Sequence, residues 1–323
     1  MNTVTYKDSG VDIDASNNLI KRLRASFPDI GGFGGLYPIG EQYLVAGCDG
    51  VGTKLKIAFG MNKHDTIGID LVAMSVNDVL TTGAKPLFFL DYFATSSLDV
   101  NVAEQVLSGI AKGCRESGCI LLGGETAEMP DFYQNGEYDL SGFCVGMVHH
   151  DDLINGENIQ LGDKIVGLPS SGFHSNGFSL VRHVLKKNHM TLETPFPYNG
   201  EPIGQVLLTP TRIYVSEVMR IIDEFEVKGV AHITGGGLEE NIPRIIPKDL
   251  GACLEKESWK IPTSFKWIQE LSNINDKEMF RTFNMGIGMT IIMKPNEALC
   301  LTNRENDYVI IGEIVEGEGV QWQ

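Results

Sequence analysis

The sequence predicts a two-domain α+β protein, and three observations carry that reading. The chain has 323 residues, more than one hydrophobic core ordinarily serves. In its first half, apolar runs and helical patterns mix without a strict strand–helix–strand rhythm. At His149-His-Asp-Asp-Leu-Ile-Asn-Gly-Glu-Asn158 the composition turns polar and turn-rich. The boundary is set there, giving domains 1–150 and 151–323, the second read as a layered α/β unit.

Residues 1–18 are polar and read as a mobile arm. A short helix over 17–26 carries Leu19, Ile20 and Leu23 on one side. The loop Gly31-Gly-Phe-Gly-Gly35 precedes a strand over Gln42–Gly47 that leads to Asp49. Asp70–Thr82 is the clearest helix of this half, apolar at Leu71, Val72, Met74, Val76 and Leu80, with Gly83 as its stop and Pro86 beyond. Fourfold spacing points Asp70 and Asp78 broadly the same way. Pro86–Ala94 reads as a strand, Asp99 caps a helix to about Ser117, Cys119–Leu122 is a short strand ending in Gly123-Gly-Glu125, and Tyr138–Val148 is another strand. Beyond the boundary, Asp163–Leu168 is a strand, and the loop Ser170–Gly177 opens a helix to about Lys187. Thr209-Pro210, a cap and a first-turn proline, opens a helix to about Glu224. The strand Val227–His232 runs into Thr234-Gly-Gly-Gly237 and a helix containing Asn241 and Arg244. Phe283–Gly288 precedes a strand to Met293, and Tyr308–Val315 is the last strand.

A net charge of −16 disfavours nucleic acid and anionic membranes as partners. No segment has the pattern of a signal peptide or the length of a membrane span. Six cysteines without a Cys-x-x-Cys pair leave zinc and redox motifs unsupported and suit a reducing cytoplasm.

Asp49, Asp70, Asp78 and Asp91 all lie by apolar segments, where an unpaired ionised carboxylate is costly. A divalent cation with oxygen ligands, such as Mg2+, is one explanation. A simple turn at Asp49, a helix cap at Asp70 and an outward-facing Asp91 are the alternatives. Gly47 and Gly52 have Walker-loop spacing, but Thr53-Lys54 reverses the required Lys-Ser/Thr order, so a P-loop is rejected. Ser170, Ser171, Gly172, His174, Ser175, Asn176 and Gly177 crowd one loop at a helix start. Backbone N–H groups there suit an anion, with a sugar phosphate as the natural guest. His149-His150 has no partner spacing and reads as surface.

These segments occur together and in order: Tyr6-Lys-Asp-Ser-Gly-Val-Asp-Ile-Asp14, Asp49-Gly-Val-Gly-Thr-Lys54, Gly68-Ile-Asp-Leu-Val-Ala-Met-Ser-Val-Asn-Asp78, Gly123-Gly-Glu-Thr-Ala-Glu-Met-Pro130, His174-Ser-Asn-Gly177, Thr234-Gly-Gly-Gly237 and Phe283-Asn-Met-Gly286. With them the chain resembles the phosphoribosylformylglycinamidine cyclo-ligases, also called aminoimidazole ribonucleotide synthetases. The resemblance implies ATP-dependent ring closure of formylglycinamidine ribonucleotide in purine biosynthesis. It also implies a homodimer whose first domains pair into a β-barrel, and an arm that folds over ATP. ATP and Mg2+ follow as cofactors, with K+ a further candidate. Carried over by residue, the metal ligands are Asp49, Asp78 and Glu125. The cofactor contacts are Lys7, Asp49, Gly50, Gly52, Thr53, Lys54, Asp70, Asn77 and Asp91. Substrate contacts are Gly124, Glu125, Ser171, His174, Ser175, Asn176 and Gly236. His174 is the expected acid–base group, with Asp78 and Lys7 as further catalytic residues. A related ATP-using synthetase or small-molecule kinase, and a non-catalytic nucleotide-binding paralogue, are the alternatives.

Overall fold

The computed structural model describes residues 5–27, 30 and 32–323. In chain order its helices are α1 (Ile13–Ser26), α2 (Leu55–Met61), α3 (Ile67–Leu80), α4 (Val100–Ser117), α5 (Phe178–Lys187), α6 (Ile203–Leu207), α7 (Val215–Glu224), α8 (Gly237–Asn241), α9 (Thr263–Ser272), α10 (Asp276–Thr282) and α11 (Pro295–Arg304). The strands are β1 (Gly35–Ile39), β2 (Gln42–Gly50), β3 (Lys85–Thr95), β4 (Ile120–Glu128), β5 (Tyr138–His149), β6 (Lys164–Pro169), β7 (Val227–His232), β8 (Leu250–Leu254), β9 (Ile287–Met293), β10 (Val309–Glu316) and β11 (Gly319–Trp322).

They form two sheets. The first has the order β1-β2-β5-β3-β4, and the second β11-β8-β10-β6-β9-β7. Only the β3–β4 and β11–β8 pairs are parallel. The second half is therefore α+β like the first, not an α/β layer built on parallel crossovers.

Helix α3 is the pillar of the first half. All its residues but Asp78 are buried, because it is covered by the first sheet on one side and α4 on another. The crossing with α4 is close: a Cβ on Gly68 would stand 2.2 Å from Ile110 N and Val106 O. α4 begins where the sequence places it, with Asp99 accepting from Asn101 N and Val102 N.

Several expectations are corrected. The described part of the arm carries secondary structure: a 3₁₀ turn spans Lys7–Ser9, and α1 starts at Ile13, not residue 17, capped by Asp12. The first four residues and Gly31 of the predicted glycine loop lie outside the described residues. β2 continues through Asp49, and β4 runs on through Gly123-Gly124-Glu125. Thr209-Pro210 opens no helix, since α7 starts at Val215. The intervening backbone is instead spread along α3, with Thr211 N donating to Asp70 Oδ1 at 2.7 Å and Tyr214 N to Asn77 Oδ1 at 3.0 Å. β1, β8, β11, α2, α6 and α9–α11 have no counterpart among the elements read from the sequence.

The first sheet keeps one bare face. Val45, Phe89, Cys144 and Val148 point inward and are buried. By alternation, Tyr37, Leu44, Ala46, Leu90, Phe143 and Val145 line the other face. Phe143 is 42% and Tyr37 68% exposed there.

Candidate active site

Asp49 is the last residue but one of β2, on the inner face of the first sheet, turned toward α3. Its Oδ1 accepts from Gly50 N at 2.7 Å. Burial, and then the nearby Asp78 carboxylate, push the Asp49 carboxyl up to about 6, with Gly50 and His232 partly offsetting this. Asp78 Oδ1 is 2.8 Å from Nδ1 of His232, which ends β7 and is fully buried. Two carboxylates thus face one another with a single imidazole as partner. Such an all-oxygen pair fits a hard divalent cation.

Beside them lies a cavity of about 370 Å³. Its first-half wall is Asp49, Gly50, Val51, Gly52, Thr53 and Met74; its second-half wall is Ser175, Asn176, Phe178 and Thr234. Tyr6 and Val11 of the arm close it. A neighbouring space of about 750 Å³ shares Tyr6, Val11 and Asn176, and adds Gly235, Glu240, Asn241, Arg244 and the inner side of α1. Asn176 Oδ1 accepts from Gly235 N at 3.1 Å, while its Nδ2 is buried without a partner. That leaves a donor for a ligand.

The arm is bonded to the second half of the chain. Tyr6 N donates to Glu278 Oε1 at 2.6 Å, and Ser9 Oγ meets Ser179 Oγ at 3.0 Å. Arg281 pairs with Asp14 of α1 and with Glu240 Oε1 at 2.8 Å. Arg244 lies over the Phe33 ring at 3.9 Å and donates to Gly32 O.

Other expected residues are placed elsewhere. Lys54 is fully buried, and its Nζ donates to Asp70 Oδ1 at 2.8 Å, His174 O at 3.0 Å and Thr209 O at 2.7 Å. All three ammonium donors are used, so none is left for phosphate. Asp70 Oδ1 also accepts from Ser175 Oγ, Thr211 N and Thr211 Oγ1. Asn77 donates to Arg212 O at 2.9 Å besides receiving Tyr214 N. These three side chains are struts between the halves, not cofactor contacts.

Asp91 points inward, 7% exposed, with burial raising its carboxyl pKa. A Cβ on Gly124 would stand 2.2 Å from Asp91 Oδ1, so glycine there makes room for this carboxylate rather than for substrate. Glu125 pairs with Tyr92 and, by alternation, lies on the opposite face from Asp49. It does not join Asp49 and Asp78 in a three-ligand group. Lys7 is exposed, paired to Asp12 at 2.7 Å, and does not line the Asp49 cavity.

His174 is 1% exposed, at a φ of 58°. Its Nε2 accepts from Ser171 N at 3.2 Å, and its Nδ1 is buried without a partner. Burial, then the neighbouring His232, hold its pKa well below the usual value. The ring is a neutral brace of its loop in this conformation, not an exposed acid–base group. Ser171 Oγ is tied to Pro210 O at 2.6 Å, and Ser175 Oγ to Asp70 and Thr211. Gly236, at a φ of 94°, is the N-cap of α8. His232, Tyr6 and Glu240 were missed. The position of His232 at a strand end before three glycines was the available signal.

Two family profiles cover the chain: "AIR synthase related protein, N-terminal domain" over residues 33–148 and the corresponding C-terminal domain over 160–323. A chloroplastic phosphoribosylformylglycinamidine cyclo-ligase from Arabidopsis thaliana is 58% identical over 325 residues, 99% of this chain and 84% of that protein. One from Thermoanaerobacter sp. is 52% identical over 334 residues, 98% and 99%. The chain belongs to the phosphoribosylformylglycinamidine cyclo-ligase family, within the AIR synthase related proteins. Solved structures of the same fold include AaThiL complexed with AMPPCP and TMP, with a TM-score of 0.68, 18% identity and 94% and 92% coverage. T. maritima PurL complexed with AMPPCP gives 0.60 at 14% identity, covering 89% of this chain and 43% of that one.

Proposed function

We propose that the chain closes the imidazole ring of aminoimidazole ribonucleotide from formylglycinamidine ribonucleotide, using ATP. The 52% identity to the Thermoanaerobacter cyclo-ligase across nearly all of both chains carries this reading. In this reaction the formyl oxygen attacks the γ-phosphorus of ATP, a P–O bond forms, and ADP leaves. The ribose-bearing nitrogen then attacks the formyl carbon, the C–O bond to phosphate breaks, and a proton is lost as the ring becomes aromatic. An amide oxygen leaves poorly and a phosphate well, so the first step makes the second feasible.

The Asp49 cavity is our site for the triphosphate, and Asp49 and Asp78 are the carboxylates for Mg2+, with His232 holding Asp78. Bound there, Mg2+ supplies charge neutralisation for the phosphates. Gly50, Gly52 and Thr53 offer backbone approach. Asn176 Nδ2 holds and orients the ribonucleotide, with Gly235 and Arg244 lining the same space. Alignment of nitrogen and carbon contributes several kcal/mol, roughly 7–11 at the limit. Arm residues Tyr6 and Val11 exclude water that would hydrolyse the phosphorylated amide.

Residues 1–150 would bind ATP and metal and dimerise; residues 151–323 would bind substrate. The bare apolar face of the first sheet supports a homodimer, with two such faces closing into a barrel. All six thiols are free, which suits a reducing interior, and we place the protein in the cytoplasm. No described helix is long and apolar enough to cross a membrane.

The test is purified protein with ATP, Mg2+ and formylglycinamidine ribonucleotide, following the aromatic amine product and ADP. Equal amounts of both are expected. ADP without the amine, or neither, would overturn the reading.

A further inference from the structure

One group of metal-ligating side chains lies outside this site. His149 ends β5, and His150 and Asp151 begin the connection that neither family profile covers. Their ligand atoms all lie within 4.8 Å of one another, the one such group of three or more His, Cys, Asp or Glu among the described residues. Asp151 Oδ1 is 3.3 Å from His150 Nδ1, and Asp151 Oδ2 is 3.6 Å from His149 Nδ1. Ligands held tetrahedrally at a zinc–nitrogen distance of about 2.0–2.1 Å stand about 3.3 Å apart. These edges are close to that length already.

Hydrogen bonding prepares His149 for coordination. Asp151 N donates to His149 Nδ1 at 3.3 Å, so this nitrogen carries no proton, and an ion bound to it takes the place of that long hydrogen bond. The ring proton then belongs on Nε2, which faces Glu41 Oε2 at 4.0 Å. A carboxylate behind the far ring nitrogen is how metal-bound histidines are commonly oriented. Backbone pairing fixes the arrangement: Gln42 is in register with His149, and His150 N donates to Glu41 O at 3.1 Å. His150 is 47% and Asp151 81% exposed at the side chain, so an ion reaches them without any opening of the fold.

We propose that His149, His150 and Asp151 form a surface site for a zinc-class transition-metal ion, with Glu41 orienting His149 and solvent completing the shell. Two imidazole ligands select against Mg2+, which takes oxygen ligands. The site is therefore chemically distinct from the Asp49–Asp78 pair. An ion there staples the end of the first sheet to the start of the connection between the two halves.

The test is calorimetric titration of the full chain with ZnCl2 in 10-fold excess Mg2+ over zinc, beside His150→Ala, His149→Ala/His150→Ala and Cys48→Ser. Titration with CoCl2 reports the ligand type by absorption. One equivalent is expected, weakened at least tenfold in His150→Ala and abolished in the double variant, and retained in Cys48→Ser. Cobalt should give d–d bands without thiolate charge transfer. Circular dichroism and ring-closing activity of the histidine variants should match the parent, which separates loss of the site from loss of the fold. No zinc binding, zinc binding unchanged in the double variant, displacement by Mg2+, or a thiolate band would each overturn the proposal.

Discussion

Replacing Lys54 by methionine tests how the two halves are held together. In the parent, Lys54 Nζ is spent on Asp70 Oδ1, His174 O and Thr209 O, and both charged side chains are fully buried. Burial lowers the Lys54 pKa and Asp70 works against that. Methionine fills the stem's volume but leaves the Asp70 carboxylate without a counter-charge and two carbonyls without their donor. Breaking a buried pair by removing one partner costs about 3–5 kcal/mol, against a total stability of about 5–15 kcal/mol. Urea unfolding at fixed protein concentration, followed by circular dichroism, measures the loss. Lys54→Met/Asp70→Leu removes both charges and should recover most of it. The same proteins are titrated with ATP and Mg2+. A Lys54→Met protein as stable as the parent, but unable to bind ATP, would return Lys54 to the phosphate role and refute the strut.

Three further outcomes are expected. The folded state holds the Asp49 proton more tightly than the unfolded chain, its pKa being raised from 3.8 to about 6, so this group's contribution to stability falls as pH rises from about 4 to about 6 and the full cost remains above that. Asp49→Asn should stabilise the metal-free protein at pH 7 by up to about 3 kcal/mol and abolish the gain from added Mg2+, both read as thermal midpoints in EDTA and in Mg2+. His232→Phe keeps a ring but removes the Asp78 partner; it should raise the Mg2+ needed for half-maximal ring closure roughly 10–100-fold, and an unchanged requirement counts against His232 as the residue that orients Asp78. Phe143→Glu puts charge on the bare face of the first sheet and should yield monomers by light scattering, whereas an unchanged dimer would locate the interface elsewhere.

Local signals were legible wherever the cause is local. The cap at Asp99, the apolar content of α3 and the loop before α5 are written within a few residues. Lys54, Asp70 and Asn77 were misread because their partners are distant in sequence and mostly backbone groups, such as His174 O, Thr209 O and Tyr214 N, which any residue type could supply. Thr209-Pro210 carries an ordinary helix-start signal that long-range bonds override. Gly123-Gly124 reads as the end of a short strand, yet β4 runs on through it, and Gly124 makes room there for Asp91. The burial of His174 rests on a left-handed backbone angle that no neighbouring residue announces.

The acidic stretch itself divides by how each charge is met. Asp70 is neutralised by Lys54, Asp91 lies buried with a raised pKa, and Glu125 reaches the sheet's outer face. Of the five, Asp49 lines the cavity, and Asp78, held by His232, repels it from behind. Carboxylate burial alone therefore does not mark a cation site; the site emerges only once the protein's own lysine has been subtracted. What is left is a two-carboxylate deficit beside a space that adjoins both halves of the chain. That is where an added cation gains most, because it offsets the burial, and then the Asp78 repulsion, that raise the Asp49 pKa, while meeting the phosphates brought in by ATP.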